Sequence, residues 1–309
     1  MTFRKSLIFS RNHDNTALSK ERIEQLAPAV FSASKAEHLT DRYVSLHTSD
    51  LIPVMQDYGY VPVQAAQRGS RKPKNSQAIS GISEKSSGLP ENQPHRDGAS
   101  ESFDAHLLSF AHTSALNQDL RPEIILYNSH DGSSSVQLYA GCYRFICSNG
   151  IVAGEGFNQR MYHSKSGLQG FEEMLKNTVE SLPEVQARIQ RLKQVKLDSE
   201  QSLQLAKMGV STRWDILPSD THEITGTYAD YRTVSCALRS IRYEDMQNDA
   251  FTVFNRIQEA VIRGNAYVRS FTKANPYGAP RKARAVGSAK ESIRINTELW
   301  NAAEEVAFG

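Results

Sequence analysis

Cysteine is scarce. Cys142, Cys147 and Cys236 are the only three in 309 residues. An odd, sparse set does not make a disulfide framework, so a reducing, cytoplasmic setting is expected. No run of about 18 apolar residues occurs, which argues against a membrane-spanning helix. Met1 to Ser10 lacks the long apolar core of a secretory signal, and no tandem repeat recurs at a fixed period. Neither sign of charge dominates: 36 basic against 34 acidic residues leave +2. Any charged partner must therefore be sought through local patches.

What is present is material for a core. Hydrophobic residues make up 39% of the chain and charged residues 23%, which excludes global disorder. The pattern predicts an α+β fold, with a central, mainly antiparallel sheet and a helical C-terminal half that includes a long heptad-patterned helix. Three regions follow: 1–50 as an N-terminal segment, 51–167 as the sheet core with a mobile loop over 68–102, and 168–309 as a helical region with a basic loop over 264–290. Ser19 is placed to cap a short helix over Leu18 to Ala27. Ser102 to Ala111 and Glu123 to His130 read as strands, and Asp131-Gly132 as a hairpin turn. Gly141 suggests a bulge. Tyr139 to Cys147 is either strand or a short helix closed by Ser148-Asn149-Gly150. Phe171, Leu175, Thr178, Leu182, Val185, Ile189 and Leu192 form a heptad seam that predicts packing along another helix, interrupted at Pro183. Further helices are expected over Asp245 to Arg263 and Glu291 to Ala307.

Three places invite a chemical role. In Asn128-Ser-His-Asp-Gly-Ser-Ser-Ser135, His130 and Asp131 are candidates for catalysis, although neighbours on a strand face opposite ways; the competing reading is a self-satisfied turn. Cys142, Cys147, His130 and His163 do not have the spacing of a zinc site, so neither a metal nor a cofactor is expected. Asn128, His130, Asp131, Asn149, Asn255, Arg256 and Glu259 together make a candidate polar cluster. Within it, Asn255, Glu259 and Arg263 form a helical ridge that is either a solvated face or a surface for base edges and phosphates. Residues 261–290 hold Arg263, Arg269, Lys273, Arg281, Lys282, Arg284 and Lys290 and no acidic residue. Tyr267, Phe271 and Tyr277 are interleaved, and cations beside aromatics suit a phosphate backbone with stacked bases. The alternative is an exposed basic loop without a ligand. Arg68, Arg71 and Lys72 would add a second clamp. Asn296, on the apolar stripe of the last helix, is expected to fix register against the Asn255 helix.

Pro122-Glu-Ile-Ile-Leu-Tyr-Asn-Ser-His-Asp-Gly-Ser-Ser-Ser-Val136 with Ala140-Gly-Cys-Tyr-Arg-Phe-Ile-Cys-Ser-Asn-Gly-Ile-Val152 resembles the uncharacterised phage- and plasmid-like family that includes the YafZ and YfjQ prophage proteins. Phe254-Asn-Arg-Ile-Gln-Glu259, Arg284 and Asn296-Thr-Glu-Leu-Trp300 resemble its C-terminal blocks in order, and the likeness covers roughly Leu51 to Ala307. The resemblance implies cargo of mobile elements and supplies no catalytic residues to carry over. The leading expectation is a DNA-binding accessory protein, acting on single strands in recombination or annealing. Against it stand a counter-defence or host-factor-binding protein with a host or phage partner, and a hydrolytic enzyme using His130, Asp131 or Cys147. A homo-oligomer is left open.

Overall fold

A computed structural model describes residues 10–11, 16–32, 39, 43–67, 104–116, 118, 120–144, 149–152, 157–163, 167–221 and 224–309. The first half is built on a seven-stranded antiparallel sheet. Its strands are β1 (Ser10–Arg11), β2 (Tyr60–Gln67), β3 (His106–His112), β4 (Leu120–Asn128), β5 (Val136–Arg144), β6 (Asn149–Val152) and β7 (Asn158–Met161). They lie in the order β1-β2-β3-β4-β5-β6, and β7 pairs the first half of β5 while β6 pairs the second. Helices α1 (Lys20–Leu26) and α2 (Thr48–Asp57) precede β2, and Ser19 caps α1 as expected, accepting from Arg22 N–H.

The β4–β5 hairpin closes over Ser129–Ser135, with Gly132 at φ +74°, a conformation that glycine adopts without steric cost. Asp131-Gly132 therefore marks the turn correctly, within a longer loop than a two-residue turn. The pairing from Leu120↔Arg144 to Tyr127↔Gln137 runs without a shift, so Gly141 is no bulge. Strand continues through Arg144, and Asn149-Gly150 belongs to β6 rather than to a helix cap. The irregularity falls instead at Pro62, between β2 and β3, where a residue without an N–H disturbs the ladder least at a bulge.

Alternation sends Leu108, Phe110, Ile124, Leu126, Leu138 and Ala140 to one face, all fully buried. This face carries α3 (Gly167–Gln194), whose seven heptad positions are buried against β5, β7, α2 and α6 (Ala250–Arg263). The seam thus packs on the sheet as well as on a helix. Pro183 lies inside α3 and does not interrupt it. The apolar seam continues on both sides of the proline, and burial outweighs the one backbone bond that proline removes. The break falls at 195–198, where Asp198 and Gln201 form the capping box of α4 (Ser199–Ser211).

The second half is helical, as expected, with α5 (Tyr231–Leu238), α6 and α7 (Ala289–Phe308) completing the packing. Asn296 of α7 does lock to α6, through Gln258, whose amide donates to its side-chain oxygen. Its own amide closes on Ser292 O at 2.9 Å. One departure matters for function. A second sheet of four strands stands here, in the order β11-β10-β9-β8, made of β8 (Asp215–Ile216), β9 (Gly226–Ala229), β10 (Tyr267–Thr272) and β11 (Asn275–Lys282). The basic segment is therefore a hairpin and not a loop.

Candidate nucleic-acid interface

The hairpin starts at the end of α6. Gly264 takes φ +79°, and a Cβ there would fall 2.5 Å from Ala283 O and 2.7 Å from the Arg284 carbonyl carbon. Only glycine lets α6 end against the chain leaving β11. Ala283 N–H bonds Ala266 O at 2.8 Å and Val286 N–H bonds Ile262 O at 2.7 Å. Arg213 clamps the same exit by donating to Val261 O and Arg284 O. The two strands are thus held on the helical body. Gly264→Ala is expected to cost about 1–3 kcal/mol through backbone strain, read as a lower denaturation midpoint with an unchanged slope.

Register sorts the side chains. Tyr267 pairs with Lys282, and Arg269 pairs with both Pro280 and Tyr228. Partners across an antiparallel ladder share a face, so Tyr228, Tyr267, Arg269 and Lys282 stand together. Tyr267 is 52% exposed and Tyr277, near the turn, 86%. Phe271 is not available for stacking. It is 3% exposed, edge-on to Tyr228 at 5.8 Å, with Gly278 crossing its ring. It is the hairpin's own core.

The cations are exposed and largely unopposed. Arg269 meets Asp230 only at 3.9 Å. Among the described residues no carboxylate forms an ion pair with Lys273, Arg281, Lys282 or Arg284, whereas Arg144, Arg188, Arg242 and Arg294 all contact carboxylates. Arg263 is exposed on the last turn of α6. Arg68, Arg71 and Lys72 lie outside the described residues.

Of the polar ridge of α6, Asn255 and Glu259 face inward, while Arg263 stays exposed. Asn255 is buried and donates to Phe251 O at 2.6 Å. Glu259 is buried and takes the Arg242 guanidinium, which also reaches Asp245, itself 2.6 Å from Arg144 at the end of β5. Arg256 donates its terminal nitrogens to Leu238 O, Gln247 O and Asn248, while its buried Nε has no partner in the structure. These groups tie the sheet to the helices.

Sequence spacing missed a second cluster. His47 with Thr48, His106 and His130 meet from three places in the chain. The His130 ring lies between two others, 5.1 Å from His106 at 12° and 5.5 Å from His47 at 14°. His106 Nδ1 faces Asp104 O at 2.9 Å, so it carries the proton, and its Nε2 accepts from the Thr48 hydroxyl at 2.6 Å. Thr48 Oγ1 then receives Asn128 Nδ2 at 2.9 Å and His130 Nε2 at 3.2 Å. This assignment leaves His130 Nδ1 as a buried acceptor, without a partner in the structure. Burial, reinforced by the neighbouring rings, pushes His130 down to about 3; burial pushes His106 down to about 4 and also lowers His163.

Asp131 turns to its own loop and accepts from Ser133 N–H at 2.9 Å. Burial pushes its carboxyl up, but hydrogen bonds from Ser133 and Ser129 outweigh that and hold it below the usual value. His130 and Asp131 therefore serve different networks, which removes them as a catalytic pair. Burial raises the Cys142 thiol to about 12, Cys147 lies outside the described residues, and Asn149 sits on β6. Among the described residues no three His, Cys, Asp or Glu side chains converge in a metal-binding set.

Fold and surface define an α+β protein with an internal histidine clamp and a basic β-hairpin, and no helix among the described residues is long and apolar enough to cross a membrane. The family model described as "Domain of unknown function (DUF932)" matches residues 93–300, so the chain belongs to that family. It is similar to the UPF0380 proteins YfjQ and YafZ of Escherichia coli (strain K12). Identity is 28% and 29%, each over 295 residues, covering 93% of this chain and 90% of the relative. No solved structure matches the chain.

Proposed function

We propose that this protein binds nucleic acid through the β10–β11 hairpin, as an accessory factor of a mobile genetic element that works on DNA in recombination or annealing. One observation carries the reading: Lys273, Arg281, Lys282 and Arg284 are exposed on or beside one hairpin and are left without carboxylate partners among the described residues. A cation held beside a carboxylate gains little from a phosphate; an unopposed one gains by releasing condensed counterions. The resemblance to phage- and plasmid-borne proteins favours DNA. Purified protein is expected to shift labelled oligonucleotides at low salt and to release them steeply as salt rises. Absence of any shift at low salt contradicts the proposal.

A second reading, self-association, rests on Ile241, Tyr243 and Met246, which are exposed within six residues. Sedimentation as a monomer at every concentration tested contradicts it.

A further inference from the structure

We infer that the β10–β11 hairpin is built for single strands, and that Tyr231 of α5 adds to its binding surface. This deepens the nucleic-acid reading above and rests on it. Three exposed tyrosines punctuate the basic surface. Tyr267 opens β10 and Tyr277 stands near the turn. Tyr231, 74% exposed, is the first residue of α5.

The register brings Tyr231 to the Tyr267 end. β9 runs antiparallel to β10 and pairs Tyr228 with Arg269. Two residues further on, Asp230 caps α5, and the Thr233 hydroxyl donates to Tyr267 O at 2.5 Å. The N-terminus of α5 is therefore bonded to the first residue of β10, with Lys282 opposite on β11. From Tyr267 to Thr272 the strand spans about 17 Å. Along it the order is Tyr231, Tyr267 and Lys282 at one end, Tyr228 and Arg269 in the middle, and Lys273 and Tyr277 towards the turn.

Stacking separates the two forms of nucleic acid. Duplex bases already stack on one another and offer only their edges and phosphates. Unpaired bases offer a ring face to any aromatic that water leaves half exposed, at about 1–3 kcal/mol per base. Cations alone serve both forms; exposed tyrosines between cations serve single strands. The stacking tolerates any base, so the preference is for strandedness rather than sequence.

The test compares oligo(dT), oligo(rU), an abasic strand of equal length and a duplex by fluorescence anisotropy. Wild-type protein is expected to bind the thymine or uracil strand at least tenfold more tightly than the abasic strand and the duplex. Tyr267→Ala with Tyr277→Ala, and separately Tyr231→Ala, is expected to lower single-strand affinity about 5- to 150-fold per stacked base lost. Duplex affinity and the salt slope stay unchanged, and Tyr→Phe at the same positions restores binding. Equal binding of abasic, duplex and base-bearing strands, with tyrosine variants inert, overturns this inference and leaves the nucleic-acid reading standing. Binding to none of the probes overturns both.

Discussion

Reversing Arg281, Lys282 and Arg284 together to glutamate is expected to reduce single-strand affinity by about 100-fold at low salt and to flatten the salt dependence by about 2 in slope. The slope follows from three phosphate contacts at about 0.7 counterions each on a single strand. All three side chains are exposed, so the native fold should persist, with a far-ultraviolet spectrum and denaturation midpoint close to wild type. The same reversal at Arg188, Arg242 or Arg294 is a different experiment, because those guanidiniums are already engaged by Glu304, Glu259 and Glu298. If the triple variant keeps wild-type affinity, the hairpin is not the interface.

The second large effect is on stability. Thr48, His106 and His130 are fully or almost fully buried, and both rings are neutral at pH 7, with His106 held down to about 4 and His130 to about 3. An unfolded histidine titrates near 6.5. Below that value the unfolded chain binds protons that the folded chain refuses, so stability present at neutral pH is lost as pH falls. Each ring contributes about 1.4 kcal/mol per pH unit over its window, which ends near 4 for His106 and near 3 for His130. His163, lowered as well, adds in the same direction, while Asp131 acts only below the ordinary carboxylate range. The interval from about 6.5 to 5 therefore belongs to the histidines. Urea midpoints across that interval are expected to fall steeply, and His130→Asn is expected to lower neutral stability while flattening the acid limb. Midpoints that hold steady from pH 7 to 5 contradict the clamp.

The two features were legible in the sequence to different degrees, for physical reasons. Helix α1 with its serine cap, the β4–β5 hairpin and the α3 seam were readable because each depends on neighbours in sequence, and the Asn296 lock because a polar residue on an apolar stripe must find a partner when buried. The cations of 261–290 were readable as charge. Their conformation was not: Pro276, Gly278 and Pro280 signal a loop, yet on an edge strand a missing N–H faces solvent and Gly278 makes room for Phe271. Pro183 misled in the same sense, since burial of the seam on both sides carried the helix through it. The α6 ridge of Asn255 and Glu259 had the right period for a surface, but Arg242 approaches from a neighbouring segment and turns it inward. The histidine clamp was out of reach, because His47, His106 and His130 stand on separate elements and only the sheet order brings them together. One trace was present in hindsight: His106 opens the apolar run Leu107-Leu108-Ser109-Phe110-Ala111, where an imidazole is pulled into the core.

The most direct test of nucleic-acid binding by the hairpin is the affinity of oligo(dT) across a salt series, for wild type and for the Arg281, Lys282 and Arg284 reversal side by side. The expected result is a steep linear fall of log affinity with log salt for wild type and a weaker, flatter line for the variant. Two coincident lines, or a wild-type line without slope, contradict it.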